Sequence, residues 1–198
     1  MFKHDFMFPS VVSTIECINF KAIQSNLIEW IYNYRKNDSG VVLSNQGGWQ
    51  SNSDFFEDKT FDEHKNYILF HVNEIFNDLL DHKVTLGNMW ININKKYDFN
   101  WPHIHPECVY SGVFWIKCPK DGGNLRFTSP QNYNTWAQYK GYKKEFVDNY
   151  FLSDNWEYDC TKMEGKILTF PGSLMHCVTP NQSDEDRISI AFNLQLDI

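Results

Sequence analysis

Two histidines stand two positions apart in Trp101-Pro102-His103-Ile104-His105-Pro106, just ahead of an apolar stretch at 109–117 with strand composition. On an extended backbone, positions i and i+2 project from the same side, so the two imidazoles can converge on one point. Convergent neutral imidazoles are metal ligands. A third histidine, His176, ends the run Phe170-Pro171-Gly172-Ser173-Leu174-Met175-His176, again beside strand-like sequence and just before a turn signal at 179–181. Three imidazoles on two strands make a metal centre only if the fold sets those strands together.

A second group able to do chemistry lies in the last strand-like segment, 187–196. Period-two alternation sorts Ile188, Ile190 and Phe192 onto one face and Arg187, Ser189, Ala191 and Asn193 onto the other. The polar face sets a guanidinium beside a hydroxyl, a pair shaped to grip a carboxylate. The other place for Arg187 is a sheet edge, paired with Asp184, Glu185 or Asp186. The same alternation in 84–94 separates Met89, Ile91 and Ile93 from Asn88, Trp90, Asn92 and Asn94. That polar face could line a cavity. Asn92, Trp90 and Trp115 are candidates to touch a ligand there, although amides and aromatics on inward faces also serve as packing.

The elements that must position these residues follow from periodicity. Apolar residues at 18, 20, 23, 27, 28 and 31 repeat as in an amphipathic helix over 18–35, which stops at Asn37-Asp38-Ser39-Gly40. A second helix follows from Phe61 to Leu80 in the same pattern, with Thr60 or Asp62 as its expected cap. From Val84 the period becomes two. Strands are expected at 84–94, 109–117, 124–128, 165–170 and 187–196, the second and third joined as a hairpin through Pro119-Lys120-Asp121-Gly122-Gly123. The irregular segment 129–160, with a short helix at 142–150, is read as an insertion or lid, assisted by the Gly47-Gly48-Trp49 loop. Helices followed by short strands indicate an α+β domain whose β part is a sandwich or small barrel.

Composition narrows the function classes. A chain of 198 residues suits one domain, and its 17% aromatic content supplies a large core. A net charge of -7 argues against nucleic acid as a partner. The aromatic and basic residues at 139–144 are read as a solvated helix face, and Gly122-Gly123 as a turn, since no Lys-Ser/Thr follows. Five cysteines without a CxxC pair speak for a reducing, cytoplasmic setting, and no apolar run reaches membrane-spanning length. Cys108 and Cys177, beside the candidate ligands, are read as packing residues. His4, His64, His71 and His82 are read as surface or core. Monomer and homodimer are both left open.

The ordered set of motifs resembles one family. Ser44-Asn45 with Gly47-Gly48-Trp49-Gln50-Ser51, Met89-Trp90-Ile91-Asn92, Pro102-His103-Ile104-His105-Pro106 and Ser111-Gly112-Val113-Phe114-Trp115 come first. Gly165-Lys166-Ile167-Leu168-Thr169-Phe170-Pro171, His176 and Arg187-Ile188-Ser189-Ile190-Ala191-Phe192-Asn193 complete it. Together they are similar to the iron(II) and 2-oxoglutarate dependent oxygenases, in particular those of bacteria and marine phages.

That resemblance implies a double-stranded β-helix, a cupin-like jelly roll, over about 84–198 with the helical part about 1–83 packed on its sheet. It implies hydroxylation of a small-molecule or protein side-chain substrate, with Fe(II) and 2-oxoglutarate as cofactors and release of succinate and CO2. Carried over, His103 and His176 are metal ligands, and Arg187 with Ser189 holds the far carboxylate of 2-oxoglutarate, with Asn92 and Trp115 beside it. The family has Asp or Glu two residues after its first histidine, and this chain has His105 there. Two ligand sets fit: His103, His105 and His176, or a shifted set of His105, Glu107 and His176. Pro106 disrupts the alternation that would aim Glu107 inward, which favours the first. A three-histidine centre also suits a cupin-like dioxygenase that uses no 2-oxoglutarate, or a metal that only stabilises a binding protein.

Overall fold

The architecture follows from the alternation of β11 (Arg187–Leu196) and β4 (Val84–Asn94), which pair antiparallel along their whole lengths. One face of this pair carries Met89, Ile91, Ile93, Ile188, Ile190 and Phe192, all buried. The helices α1 (Phe20–Arg35) and α2 (Asp62–Leu79) cover that face. α1 contributes Phe20, Leu27 and Ile31, and α2 contributes Ile68, Val72, Ile75 and Phe76, at the three-, four- and seven-residue spacings of a helix stripe. The opposite face of β4 and β11 is polar and looks toward a second sheet. The computed structural model describes residue 3 and residues 9–130, 141, 143 and 155–197. The helix expected at 142–150, the basic aromatic stretch at 139–144, most of the proposed 129–160 lid and His4 lie outside the described residues.

The larger sheet has six strands in the order β1 (Ser13–Glu16), β9 (Lys166–Pro171), β6 (Tyr110–Lys117), β11, β4 and β3 (Trp49–Gln50). The smaller has five: β2 (Asn45–Gln46), β5 (Phe99–His103), β10 (His176–Val178), β7 (Asn124–Thr128) and β8 (Asn155–Asp159). The protein is thus a β-rich, two-sheet fold with few helices. Val113, Trp115 and Phe170 of the larger sheet and Leu125 and Phe127 of the smaller form a second core cluster. No helix among the described residues is long and apolar enough to cross a membrane.

Three local expectations are corrected. β6 and β7 do not form a hairpin: both edges of β6 are taken by β9 and β11, so the turn after it carries the chain to the other sheet. The N-cap of α2 is Phe61, with no side-chain bond; Asp58 instead takes the Thr60 N–H at 2.8 Å and caps a short 3-10 turn that runs into the helix. Asp62 and Glu63 then place acidic charge in the first turn, where the helix dipole favours it. Nor is Gly47-Gly48-Trp49 a lid. Both glycines are left-handed, with φ of 66° and 65°, and they turn the chain from one sheet to the other. Trp49 is buried in the helix-side core, its indole N–H on the Asp38 carbonyl at 3.0 Å, so the segment is a pinned strap.

Candidate metal centre and acid pocket

β5 and β10 run antiparallel with His103 directly opposite His176, their ring centroids 4.4 Å apart. His105 lies just beyond β5, where its backbone N–H donates to the Gly172 carbonyl at 2.8 Å. That bond needs a glycine: a Cβ at 172 would fall 2.6 Å from the Cys108 carbonyl oxygen and 2.8 Å from that of His105. So held, the His105 ring lies nearly parallel to His176 and stacks on Trp90 at 5.5 Å on another side. The three rings each offer a nitrogen within 4.8 Å of the others.

Backbone carbonyls set the tautomers of two of them. His103 Nδ1 donates to Trp101 O at 2.6 Å and His176 Nδ1 to Leu174 O at 2.8 Å, leaving each Nε2 with its lone pair. His176 Nε2 meets His105 Nε2 at 3.3 Å. Burial, and then the charge of the neighbouring His103, push His105 down to about 4 and His176 down to about 3. Burial lowers His103 as well. Neutral rings converging through Nε2 fit Fe(II) or Zn(II), both of which accept imidazole nitrogen. His64 and His71 stand apart from this cluster. His71 is a core residue, accepting the Ile18 N–H on Nε2 and donating from Nδ1 to the Tyr67 carbonyl.

The shifted ligand set is not assembled. Glu107 is exposed and outside the histidine cluster, and its backbone carbonyl accepts a hydrogen bond from the Gln195 amide. Beyond Pro106 the chain turns rather than continuing β5, so the two-residue alternation ends at His105.

Across the cavity, the register of β4, β11 and β6 sorts the polar face into rows. Arg187 pairs with Asn94; Ser189 lies between Asn92 and Trp115; Ala191 between Trp90 and Val113; Asn193 between Asn88 and Ser111. Arg187 is 1% exposed. Its Nη1 donates to the carbonyls of Gly122 and Thr179, while the buried Nη2 has no partner. The edge-strand alternative for Arg187 fails because the nearby acids are engaged elsewhere. Asp184 bonds Lys96, Glu185 bonds Lys117 and Asp186 accepts from the Tyr32 hydroxyl. Asn92 Oδ1 and Trp115 Nε1, on the next row, are also buried without partners.

Burial lowers the Arg187 pKa because desolvation disfavours the charged form. A buried guanidinium with an unpaired donor, and the unpaired Trp115 indole N–H on the next row, have the chemistry to receive a carboxylate. The three histidines and Arg187 line one inner chamber of about 50 Å³. The donor set at one wall and the orphaned donor at another fit a metal and an acid respectively. Sequence reasoning names His103, His105, His176, Arg187, Ser189, Asn92 and Trp115, and all seven line this chamber. It misses Ser44 and Asn100, which lie on or beside strands too short to show a period.

Comparisons with known proteins agree with this fold. The fold is similar to a prolyl-4-hydroxylase from Pseudomonas putida, at 14% identity and a TM-score of 0.56, covering 93% of this chain and 91% of that one. It is similar to HygX from Streptomyces hygroscopicus, solved with nickel and 2-oxoglutarate bound, at 11% identity and 0.64, covering 96% and 84%. It is also similar to the non-heme alpha ketoglutarate dependent epimerase SnoN from nogalamycin biosynthesis, at 8% identity and 0.68, covering 93% and 78%. At such identities the likeness is one of fold. No curated protein matches the sequence. The sequence profile described as "Putative 2OG-Fe(II) oxygenase" matches residues 88–193, more than half of the chain. The matched span opens at the first cavity row of β4 and closes at the last of β11, taking in all three histidines, and by it the chain belongs to the 2OG-Fe(II) oxygenases.

Proposed function

We propose that this protein is a metal-dependent oxygenase that works from a three-histidine centre and seats a carboxylic acid on Arg187. The observation that carries the acid is the buried Arg187 Nη2, which has no partner although the chamber is otherwise formed. His103, His105 and His176 would hold the metal through Nε2, with carbonyls of Trp101 and Leu174 orienting two of the rings. Arg187 would take one end of the acid, and Ser189, Asn92 and Trp115 would supply further hydrogen bonds. Trp90 and Val113, one row nearer the mouth, would limit water around the acid.

Two readings share that description. In one, the chain is a three-histidine dioxygenase that needs no 2-oxoglutarate, and the acid is the substrate's own. In the other, the acid is 2-oxoglutarate, and the metal with O2 supplies an oxidation that releases succinate and CO2 while hydroxylating a substrate. The ligand set supports the first more strongly, since three neutral donors replace the carboxylate that the wider family uses with 2-oxoglutarate. The pairing of Arg187 with Ser189 supports the second.

One anaerobic titration separates them. Protein loaded with Fe(II) is mixed with 2-oxoglutarate, binding is followed by calorimetry, and succinate is measured after air is admitted. Binding that is lost in Arg187→Ala, with succinate formed by the wild type, establishes the second reading. 2-oxoglutarate that neither binds nor yields succinate excludes the second and leaves the first, in which the acid is the substrate's own.

A further inference from the structure

Resting on the reading in which Arg187 seats 2-oxoglutarate, we infer that the substrate is uncharged and presents several O–H or N–H donors beside the metal centre. An outer chamber of about 420 Å³ adjoins the inner one, and the two share Ser44, Trp90, His103 and His105. Whatever is oxidised at the histidines must lie in this outer space. Among its described lining residues there is no Asp, Glu, Lys or Arg. Apart from the imidazoles of His103 and His105, its polar side chains are amides and hydroxyls.

Three of those amides are unfinished. Gln50 Oε1, Asn88 Oδ1 and Asn193 Oδ1 are buried and have no hydrogen-bond partner. Asn88 and Asn193 are cross-strand neighbours on β4 and β11, and Gln50 on β3 pairs with Asn92 of β4, so the acceptors stand on adjoining strands. By contrast, Ser51 and Asn52 nearby are engaged. Ser51 Oγ bonds the Ile91 N–H and the Asn52 carbonyl, and the Asn52 amide bonds Asp38. Leaving a buried acceptor unpaired costs about 1–3 kcal/mol, so these side chains favour a ligand that brings donors. A charged ligand would lose its hydration and meet no counter-charge from a side chain of this wall.

The remaining wall is apolar. Leu43, 74% exposed, and Ile104, 42% exposed, stand at the mouth, and the Trp90 ring lies against His105. An apolar face beside a donor-rich edge fits a polyhydroxylated ring or a neutral amide, two sources of the same donor chemistry.

The test is calorimetric titration of zinc-loaded protein with a matched panel. It comprises neutral sugars and cyclitols, N-acetylated amino-acid amides, and their phosphorylated or amino-bearing counterparts. We expect a member of one neutral class to bind, the class that does so identifying the source, and its charged counterparts to bind at least about tenfold more weakly. Gln50→Glu and Asn193→Asp keep the side-chain shape and add a negative charge. Each should strengthen the amino-bearing ligand by about tenfold or more and weaken the phosphorylated one, while the neutral ligand changes less. Charged members that bind the wild type as well as neutral ones, no neutral member binding at millimolar concentration, or variants that change nothing would each overturn the inference. Metal content is measured in the same samples. Protein that takes no metal yet binds the neutral class would defeat the oxygenase reading while leaving the chamber's selectivity intact.

Discussion

His103 and His176 face one another across the β5–β10 ladder, so two of the three metal-binding nitrogens are set by strand register rather than by loop conformation. A one-residue slip of β10 would turn His176 to the other side of its sheet. Removing either ring should therefore remove the centre rather than rearrange it. His103→Ala and His176→Ala are each expected to weaken Fe(II) or Zn(II) binding by more than the roughly 10–100-fold that outer hydrogen-bond partners are worth. Metal titration with a competing chelator would measure it, and near-normal affinity in either variant would exclude that histidine as a ligand.

His105 is held by a different device, the Gly172 carbonyl, and occupies the position where the wider family carries a carboxylate. His105→Asp should keep metal bound, since an aspartate there restores that arrangement. Glu107→Ala should leave metal affinity unchanged, because Glu107 is exposed and apart from the three rings. Loss of metal in both variants would move the site to His105 and Glu107.

The contrast between these residues also explains which parts of the site are legible in the sequence. β4 and β11 are 11 and 10 residues long, and their alternation alone assigns Asn92, Arg187 and Ser189 to one face. β10 has 3 residues and β2 has 2, too few for a period to appear, so sequence makes the pairing of His176 with His103 only conditional. The apparent hairpin of β6 and β7 fails for a related reason. A Gly-Gly turn specifies a change of direction, whereas the partner of each strand is decided by which edges remain free. Gln50 is the same case at the site. It enters the outer chamber from a two-residue strand whose neighbours give no pattern.

The buried rings make the metal-free protein sensitive to acid. In the unfolded chain a histidine titrates near its ordinary 6.5, but in the fold His105 is held down to about 4 and His176 to about 3. Above pH 6.5 both states are neutral and the stability is fully present. As pH falls below 6.5, the unfolded chain takes up protons that the fold refuses, and stability falls. The loss is complete only once pH drops through the folded values. Thermal melts of chelator-treated protein should show Tm falling steadily from pH 7 to pH 4. His176→Gln should flatten that dependence. An apo protein whose Tm is unchanged over the range would show that the rings accept protons in place.

Arg187 carries the last prediction, because its two nitrogens have different tasks. Nη1 is tied to the Gly122 and Thr179 carbonyls, and Nη2 is buried without a partner in a residue that lines the chamber. Arg187→Lys keeps a charge but cannot hold two carbonyls and an acid in one planar fork. Arg187→Ala removes the charge altogether, and truncating one member of a buried charged pair typically costs about 3–5 kcal/mol. Acid binding should therefore fall by about 100-fold or more in Arg187→Ala, with an intermediate loss in Arg187→Lys. Gly123→Ala supplies an independent check from the backbone. Residue 123 has φ of 86°, and a Cβ there would lie 2.8 Å from Nη1 and 2.5 Å from the Thr179 carbonyl oxygen. This variant should lose about 1–3 kcal/mol of stability and displace the guanidinium. It should weaken the acid while leaving the histidine centre's metal affinity unchanged, since the histidines are fixed by the β5–β10 pairing and Gly172. If Gly123→Ala instead lost metal and kept acid binding, Arg187 would not be the acid's partner.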